Sequence, residues 1–329
     1  MLHEGLWLWF LAAALLLLVY ISLVGYVSKT FEVMDRVGDK RERSREEALD
    51  DHSKRQRSAA ATEELDVYIS NRKGKTFSAE TMIDLISKKG ADPNHRCGYD
   101  HFTPLMALSS LGRGRVDDRL HGEIMKGFRF LLQIPTIDVN LLDEYRNALI
   151  QRVVGMEDPA FLTMLLEKRA SSEHINKTGM TGLSPLHLAC SSRLVSIESI
   201  RSLLDKGADP YQPSRTEEGY PPLYYAIKTY GENVNLDMDK LRDILDIFLR
   251  HGVDIGRHRG GDGGTIMHVV ARYANDARFC TKVLNNGGDR VLDVYNNAGK
   301  TPLEVADTLN HDNVVLAIEK FLRLGARAG

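Results

Sequence analysis

Cysteine is scarce in this chain: Cys97, Cys190 and Cys280 are the whole complement, and they sit in unrelated contexts. So odd and sparse a set builds no disulfide framework and suits a reducing compartment. Net charge is as thin, −2 from 43 basic and 45 acidic residues. A nucleic-acid partner needs a basic face that releases counterions, so none is expected. Catalytic groupings are missing too. No Ser or Cys nucleophile with a base and an orienting acid accompanies His187 or His268, so the chain does not read as an enzyme. The run Gly260-Gly-Asp-Gly-Gly264 has no Gly-Lys-Ser/Thr after it and no strand-to-helix frame, which argues against a phosphate cradle. His95, Cys97 and His101 lack the fourth ligand that structural zinc requires. No metal, cofactor or small-molecule substrate is therefore expected.

One absence is local. From Leu6 to Val27 there is no charged residue. At about 1.5 Å per residue these positions span roughly 33 Å, enough for the hydrocarbon core of a bilayer. Trp7 and Trp9 lie near one end and Tyr20 and Tyr26 near the other, as interfacial aromatics do. A cleaved signal peptide would want a basic leader, a shorter apolar run and a small-residue cleavage site. The leader 1–5 has no Lys or Arg, and Val24-Gly25-Tyr26 is a poor site, so residues 6–27 are expected to be a retained transmembrane helix in contact with lipid. Lys29, Arg36, Lys40, Arg41, Arg43 and Arg45 follow the run and none precedes it. The positive-inside rule then predicts a single-pass protein of an inner or plasma membrane with its C-terminal part cytoplasmic. Glu32, Asp35, Asp39 and Glu42 count for little in that rule, and a periplasmic or external orientation stays open.

Residues 28–64 interleave acids and bases with few apolar side chains, a composition that cannot offset its ordering entropy by burial. They are expected to be a spacer, either a solvated helix or a flexible stalk. Like-charged pairs at helical spacing, such as Glu42/Glu46 and Glu47/Asp51, do little to favour helix.

Beyond the spacer, two short patterns alternate. One is a helix start: Thr103-Pro-Leu-Met-Ala107, Ser184-Pro-Leu-His-Leu-Ala189, Pro221-Pro-Leu-Tyr-Tyr-Ala226, Thr265-Ile-Met-His-Val-Val-Ala271 and Thr301-Pro-Leu-Glu-Val-Ala306, with a weaker version at Asn147-Ala-Leu-Ile150. The other is a helix end: Leu85-Ile-Ser-Lys-Lys-Gly-Ala-Asp92, Leu203-Leu-Asp-Lys-Gly-Ala-Asp209, Phe248-Leu-Arg-His-Gly-Val-Asp254 and Val283-Leu-Asn-Asn-Gly-Gly-Asp289. A hydroxyl caps free N–H groups and Pro tolerates the first helical position. Gly90, Gly207, Gly252 and Gly287 fall where a left-handed residue closes a helix. The Asp-Pro and Asp-x stretches that follow open a turn. From residue 81 to 322 the chain thus resembles the ankyrin-repeat family. The resemblance implies an all-α ankyrin-repeat solenoid of stacked helix-turn-helix pairs with hairpin-like connecting loops, in addition to the transmembrane helix. It also implies that His187 and His268 hydrogen-bond adjacent loops.

The domain is placed at 65–329, with about six units. Residues 77–90 look like a lone second helix capping the N-terminus. Residues 312–324 look like the closing helix, with Val314, Val315, Ile318, Phe321 and Leu322 on one stripe. The aligned Leu105, Leu149, Leu186, Leu223, Met267 and Leu303 are 44, 37, 37, 44 and 36 residues apart, against a family period of about 33. The excess in the two long units falls between their helices, which predicts long loops near 111–122 and 230–239 on one edge of the array.

The family's partners sit on hairpin tips and on exposed positions of the first helices. Carried onto this sequence, that nominates Tyr99, Asp143, Tyr145, Tyr211, Arg215, Arg257, His258, Tyr295 and Asn297 on tips. Arg193, Lys228, Tyr230, Arg272 and Tyr273 would lie on helices. Tyr and Arg dominate binding hot spots. Tyr224 and Tyr225 depart from the family's His-Leu pair, and their role is open. The function expected is a membrane-tethered module that binds another protein through the concave surface, the long loops or both. Two alternatives are a cognate immunity protein neutralising a toxin at the membrane, and a regulator or scaffold subunit of a membrane complex.

Overall fold

A computed structural model describes residues 50–51, 53–70, 77–98, 100–112, 116–156, 158–168, 172–192, 196–231 and 238–328. The expected transmembrane helix 6–27 lies outside them. Among the described residues no helix is long and apolar enough to cross a membrane. The chain divides into two compact units, Met1–Ala60 and Ala61–Gly329.

In the first unit, residues 50–51 and 53–60 are helical. Exposed ion pairs join Lys54 to Asp50 at 2.6 Å and Arg55 to Asp51 at 2.9 Å, both at i,i+4. An acid N-terminal to its base at this spacing favours helix. The repulsive pairs picked out upstream therefore misjudge this end of the spacer, where attractive pairs take over.

The described residues of the second unit form helices joined by turns and loops, with isolated antiparallel bridges at Cys97–Phe102 and Leu142–Ala148. Its order is α1 (residues 61–70), α2 (Ala79–Ser87), α3 (Pro104–Leu111), α4 (Asp118–Gln133), α5 (Leu149–Val153), α6 (Pro159–Glu167), α7 (Ser172–Ile175), α8 (Pro185–Ser191) and α9 (Ile197–Asp205). Then come α10 (Pro222–Gly231), α11 (Met238–Arg250), α12 (Ile266–Tyr273), α13 (Ala277–Leu284), a 3₁₀ turn (Gly288–Val291), α14 (Pro302–Thr308) and α15 (Asp312–Ala328). The first helices α3, α5, α8, α10, α12 and α14 stack in one layer, each on the next. The second helices α2, α4, α6, α9 and α11 stack in the other, as α13 does on α15. Between the layers runs one continuous core, from Ala61 and Leu65 to Val314 and Ile318. No single pair could bury its apolar faces alone, which is why the units hold together as an array.

The helix signals act as their chemistry predicts. Thr103 and Thr301 accept from the backbone N–H three residues on, at 3.4 and 3.3 Å. Gly90, Gly207, Gly252 and Gly287 have φ of 78°, 89°, 72° and 109°, the left-handed region where a side chain would be strained. The weak start at Asn147 yields the shortest paired helix, five residues in α5, because Ala148 has no cap to offer.

Three expectations need correction. Residues 77–90 are not a lone capping helix, because α2 pairs with α1. The α1 residues Ala61, Leu65 and Ile69 are buried in the same core, Lys89 binds Glu64 at 2.6 Å, and the Ser78 N–H donates to the Tyr68 hydroxyl at 2.8 Å. That first helix lacks the Thr-Pro-Leu start, so it merges with the charged spacer in the sequence, and the core begins at Ala61. The loops expected at 111–122 and 230–239 are in part helix, since α3 runs to Leu111 and α4 starts at Asp118, and α10 runs to Gly231 and α11 starts at Met238; residues 113–115 and 232–237 lie outside the described residues. The second helices are longer, 16 residues in α4 and 13 in α11, against 9 in α6 and α9. The surplus is extra helical turn. The third concerns the closing helix. Val314 and Ile318 are buried and Val315 and Phe321 partly so, but Leu322, at the edge of the stripe, is 48% exposed.

Candidate partner-binding surface

In four of the six first helices, α5, α8, α10 and α12, the third residue ties neighbouring repeats. The His187 Nε2–H donates to the Tyr220 carbonyl at 3.0 Å, while Nδ1 faces the Ser184 hydroxyl at 2.7 Å. His268 repeats this, with Nε2 at 2.9 Å from the Lys300 carbonyl and Nδ1 at 2.9 Å from the Thr265 hydroxyl. Both imidazoles are buried, and desolvation lowers the pKa of each. The family expectation for these histidines therefore holds. Two other side chains do the same work unannounced. The Gln151 Nε2 donates to the Leu183 carbonyl at 3.0 Å, and the Tyr224 hydroxyl donates to the His258 carbonyl at 2.7 Å. Tyr225 closes over His187 edge to face at 5.4 Å and bonds Ser214 and Thr216 through its hydroxyl. The two tyrosines are thus inter-repeat struts. Tyr224→Phe is expected to lower the unfolding free energy by about 1 kcal/mol, because the half-buried His258 carbonyl loses its donor; the shift of the urea midpoint checks this.

Six hairpin loops lie along the array, residues 97–102, 143–147, 179–183, 214–220, 260–264 and 296–300, and the struts fix the third to the sixth against the preceding repeats. Each closes on a backbone hydrogen bond, for example Cys97 N–H to Phe102 O at 2.8 Å and Asn296 N–H to Lys300 O at 3.0 Å. Neighbouring loops also bond directly. Arg215 N–H reaches Gly182 O at 2.8 Å, Gly261 N–H reaches Glu218 O at 2.6 Å, and Asn297 N–H reaches Asp262 O at 2.9 Å. In the glycine run, the Gly260, Gly261, Gly263 and Gly264 amides all have partners within the protein. Among the described residues no group of three or more His, Cys, Asp or Glu could hold a metal ion. His95 instead faces Asp66 at 3.9 Å, and Cys97 is buried in its hairpin.

The nominated residues fall into distinct environments. Tyr99 and Arg193 lie outside the described residues. Tyr145 is 44% exposed on its hairpin and Tyr295 is 63% exposed just before one. Arg215, Arg257 and Asn297 are exposed as well, although the Asn297 Nδ2 is used on Gly261 O at 3.1 Å. Tyr211, Lys228, His258, Arg272 and Tyr273 are half-buried. Tyr211 is sandwiched, with the His258 ring stacked at 5.0 Å and the Arg257 guanidinium 5.2 Å from its centroid, and its hydroxyl accepts from Asp254 N–H at 2.7 Å. Burial, and then the Arg257 charge, lowers the His258 pKa. The Arg272 Nη1 bonds Asp262 at 3.1 Å and the Tyr220 hydroxyl at 3.3 Å, and Lys228 pairs with Glu218 5.8 Å from the Tyr273 ring centroid.

Two nominations are wrong about placement. Asp143 is no exposed tip residue: its side chain is 0% exposed and forms an ion pair with Arg152, because it must also accept from Asn147 N–H at 2.7 Å to shape the hairpin. Tyr230 is 2% exposed instead of lining the groove, since it belongs to the extra turn of α10 and packs against the extra turn of α11, with Lys240 5.9 Å from its ring centroid. The sequence search also missed a residue. Met180 is 68% exposed in the third hairpin. An apolar side chain between the turn glycines Gly179 and Gly182 was the available signal.

The ankyrin-repeat family model matches residues 181–215, one unit of the array. Neurogenic locus notch homolog protein 1 of Danio rerio is 32% identical over 97 residues, 28% of this chain and only 4% of that relative's length. The ankyrin repeat domain of Bcl-3, described as a unique member of the IkappaB protein family, aligns with a TM-score of 0.53 at 17% identity, over 78% of this chain and 97% of its own. A chain from the complex of the Bdellovibrio bacteriovorus predatory endopeptidase Bd0816 with immunity protein Bd3460 aligns with a TM-score of 0.51 at 20% identity, over 67% of this chain and 98% of its own. At such identities the structural likeness speaks for the fold. The recurring Thr-Pro-Leu starts, the left-handed glycines and the histidine struts agree with these likenesses: residues 61–328 have the fold of an ankyrin-repeat array, and residues 181–215 match the family model itself.

Proposed function

We propose that this chain is a membrane-tethered protein-interaction module whose hairpin edge and adjoining first helices bind a partner protein. One observation carries the reading: Tyr145 and Met180 stand exposed on hairpin loops, and Tyr295 beside one, in an array that buries Tyr220, Tyr224, Tyr225 and Tyr230. Large apolar side chains held on fixed loops, at small entropic cost on docking, suit protein recognition. Tethering rests on the uncharged run 6–27, and the cytoplasmic orientation rests on the basic residues after it. Capture from detergent-solubilised membranes with the full chain as bait tests the first part. The combined Tyr145→Ala, Met180→Ala and Tyr295→Ala variant is expected to weaken retention of the captured protein by at least about tenfold. Retention equal to that of the parent chain would remove the reading. Protease protection in sealed membrane vesicles tests the orientation, and digestion of the array from the non-cytoplasmic side would reverse it.

A second reading is an immunity protein that neutralises a toxin at the membrane. It is supported by the shared fold with a chain of the complex that contains immunity protein Bd3460. The captured protein discriminates: a toxic hydrolase or membrane-acting effector favours this reading, and subunits of a resident membrane complex favour a regulator or scaffold.

A further inference from the structure

Exposed apolar side chains gather on the last described helix of the array. On α15, Leu316 is 63% exposed, Leu324 56% and Leu322 48%, and Leu309 in the turn before it is 44% exposed. Among the described residues none of the second helices α2, α4, α6, α9, α11 and α13 exposes a large apolar side chain. Their outward faces are polar: Glu198 and Arg201 on α9, Asp243 and Arg250 on α11, Arg278 and Thr281 on α13.

The arrangement on α15 is ordered. The helix packs on α13 and α14 and buries Val314 and Ile318. At about 100° per residue, Leu316 stands opposite the mean direction of that pair, at the centre of the outward face. Asp312 lies one turn before it on the same face and Lys320 one turn after, both exposed. The sequence acid, leucine, base is complementary to itself when reversed. A second α15 laid antiparallel, with a two-fold axis at Leu316, sets Leu316 on Leu316. It also sets each Asp312 opposite the Lys320 of the other copy, because both are equally far from Leu316. The two helix dipoles then oppose. Parallel pairing would instead put like charges together. A two-fold contact uses one patch on both chains, so the patch must complement itself, as this one does.

We propose that α15 is a contact between two copies of this chain, paired antiparallel about Leu316 with an Asp312–Lys320 ion pair on either side. Cys97, Cys190 and Cys280 are buried, so an exposed cysteine placed on a helix is the reporter. The full chain in detergent is treated with diamide, which takes up the two hydrogens that a pair of thiols loses. Leu316→Cys is expected to give a disulfide-linked dimer on non-reducing gels, and Arg278→Cys, exposed on α13, at least about tenfold less. In the Leu316→Cys background, Asp312→Lys and Lys320→Asp are each expected to cut the yield about tenfold, since each replaces both attractions by repulsions. An equal mixture of those two variants is expected to restore it. There the new lysine of one chain meets the new aspartate of the other, and the unaltered pair remains. Circular dichroism and the urea midpoint establish that every variant is folded. No dimer from Leu316→Cys, an equal yield from Arg278→Cys, indifference to the charge changes, or no recovery in the mixture would each overturn the proposal. If Leu316→Cys gives no dimer while Leu316→Ala loses the protein captured from membranes, that protein covers α15. The interaction-module reading then stands and this one falls.

Discussion

Replacing Asp143 by Ala is expected to lower the stability of the array by about 3–5 kcal/mol, the usual cost of stripping one partner from a buried ion pair. The Asp143 side chain has no exposed surface and that of Arg152 is only 10% exposed. Arg152 is bound to its partner through both Nε, at 3.0 Å, and Nη2, donates from Nη1 to Ser110 at 3.2 Å, and lies 3.7 Å from the Phe102 ring centroid. One guanidinium therefore joins two successive units: the Phe102 hairpin with the helix α3 that follows it, and the Asp143 hairpin with α5. The loss should be concentrated in α5 and α6, because α5 has five residues and little intrinsic stability of its own. Hydrogen exchange of α5 and α6 amides, together with urea unfolding, measures it. Asp143→Asn, which keeps an acceptor for Asn147 N–H, should lose less than Asp143→Ala. A loss below about 1 kcal/mol for the alanine variant would show that Arg152 is solvated in its absence.

Acid should loosen the array through His187. Its pKa is pushed from 6.5 down to about 4, first by burial, with the bonds to the Tyr220 and Gln212 backbone acting in the opposite direction. The two bonds of the ring specify a neutral imidazole. Nε2–H donates to the Tyr220 carbonyl, and Nδ1 accepts from the Ser184 N–H at 3.3 Å and from its hydroxyl. A proton on Nδ1 would face that N–H. Because the folded value lies below the unfolded one, the unfolded chain takes up the proton first as pH falls. The stabilisation is fully present above pH 6.5 and is lost progressively down to about pH 4, by at most about 3 kcal/mol at 1.36 kcal/mol per unit. His268 shifts in the same direction and adds to the slope. His251, held on Asp205 at 2.9 Å, is raised instead, so its contribution grows as pH falls. His187→Gln isolates the effect, since Gln151 already performs this role between the second and third units. The variant should show a flatter fall in stability between pH 6.5 and 4, and parallel curves would refute the assignment.

Local signals in the sequence were sufficient for the repeat itself. A hydroxyl before Pro starts a helix wherever it occurs, and Gly207 or Gly252 ends one, because both depend on backbone geometry within a few residues. The function of His187 and His268 was legible for the same reason, as the signature carries them. The candidate surface was legible only in part. Tyr145 and Arg215 stand on the hairpins where they were expected and Tyr295 and Arg257 just before theirs, whereas Asp143 and Tyr230 did not show their burial. Whether a hairpin carboxylate faces solvent or a guanidinium nine residues on depends on which way the α5 side chains turn, and no spacing records that.

The sequence by itself determined the helix-pair repeat, its glycine stops, its histidine struts and the uncharged run at its start. All of these are written in contiguous residues. Tertiary structure alone decided that α1 belongs to the array, that the surplus residues become helical turns, and that Gln151 and Tyr224 stand in for histidine. It also decided which charges remain for a partner. Each of these depends on what another element places opposite the side chain, whether 10 residues away, as Tyr68 is from Ser78, or 34, as His258 is from Tyr224.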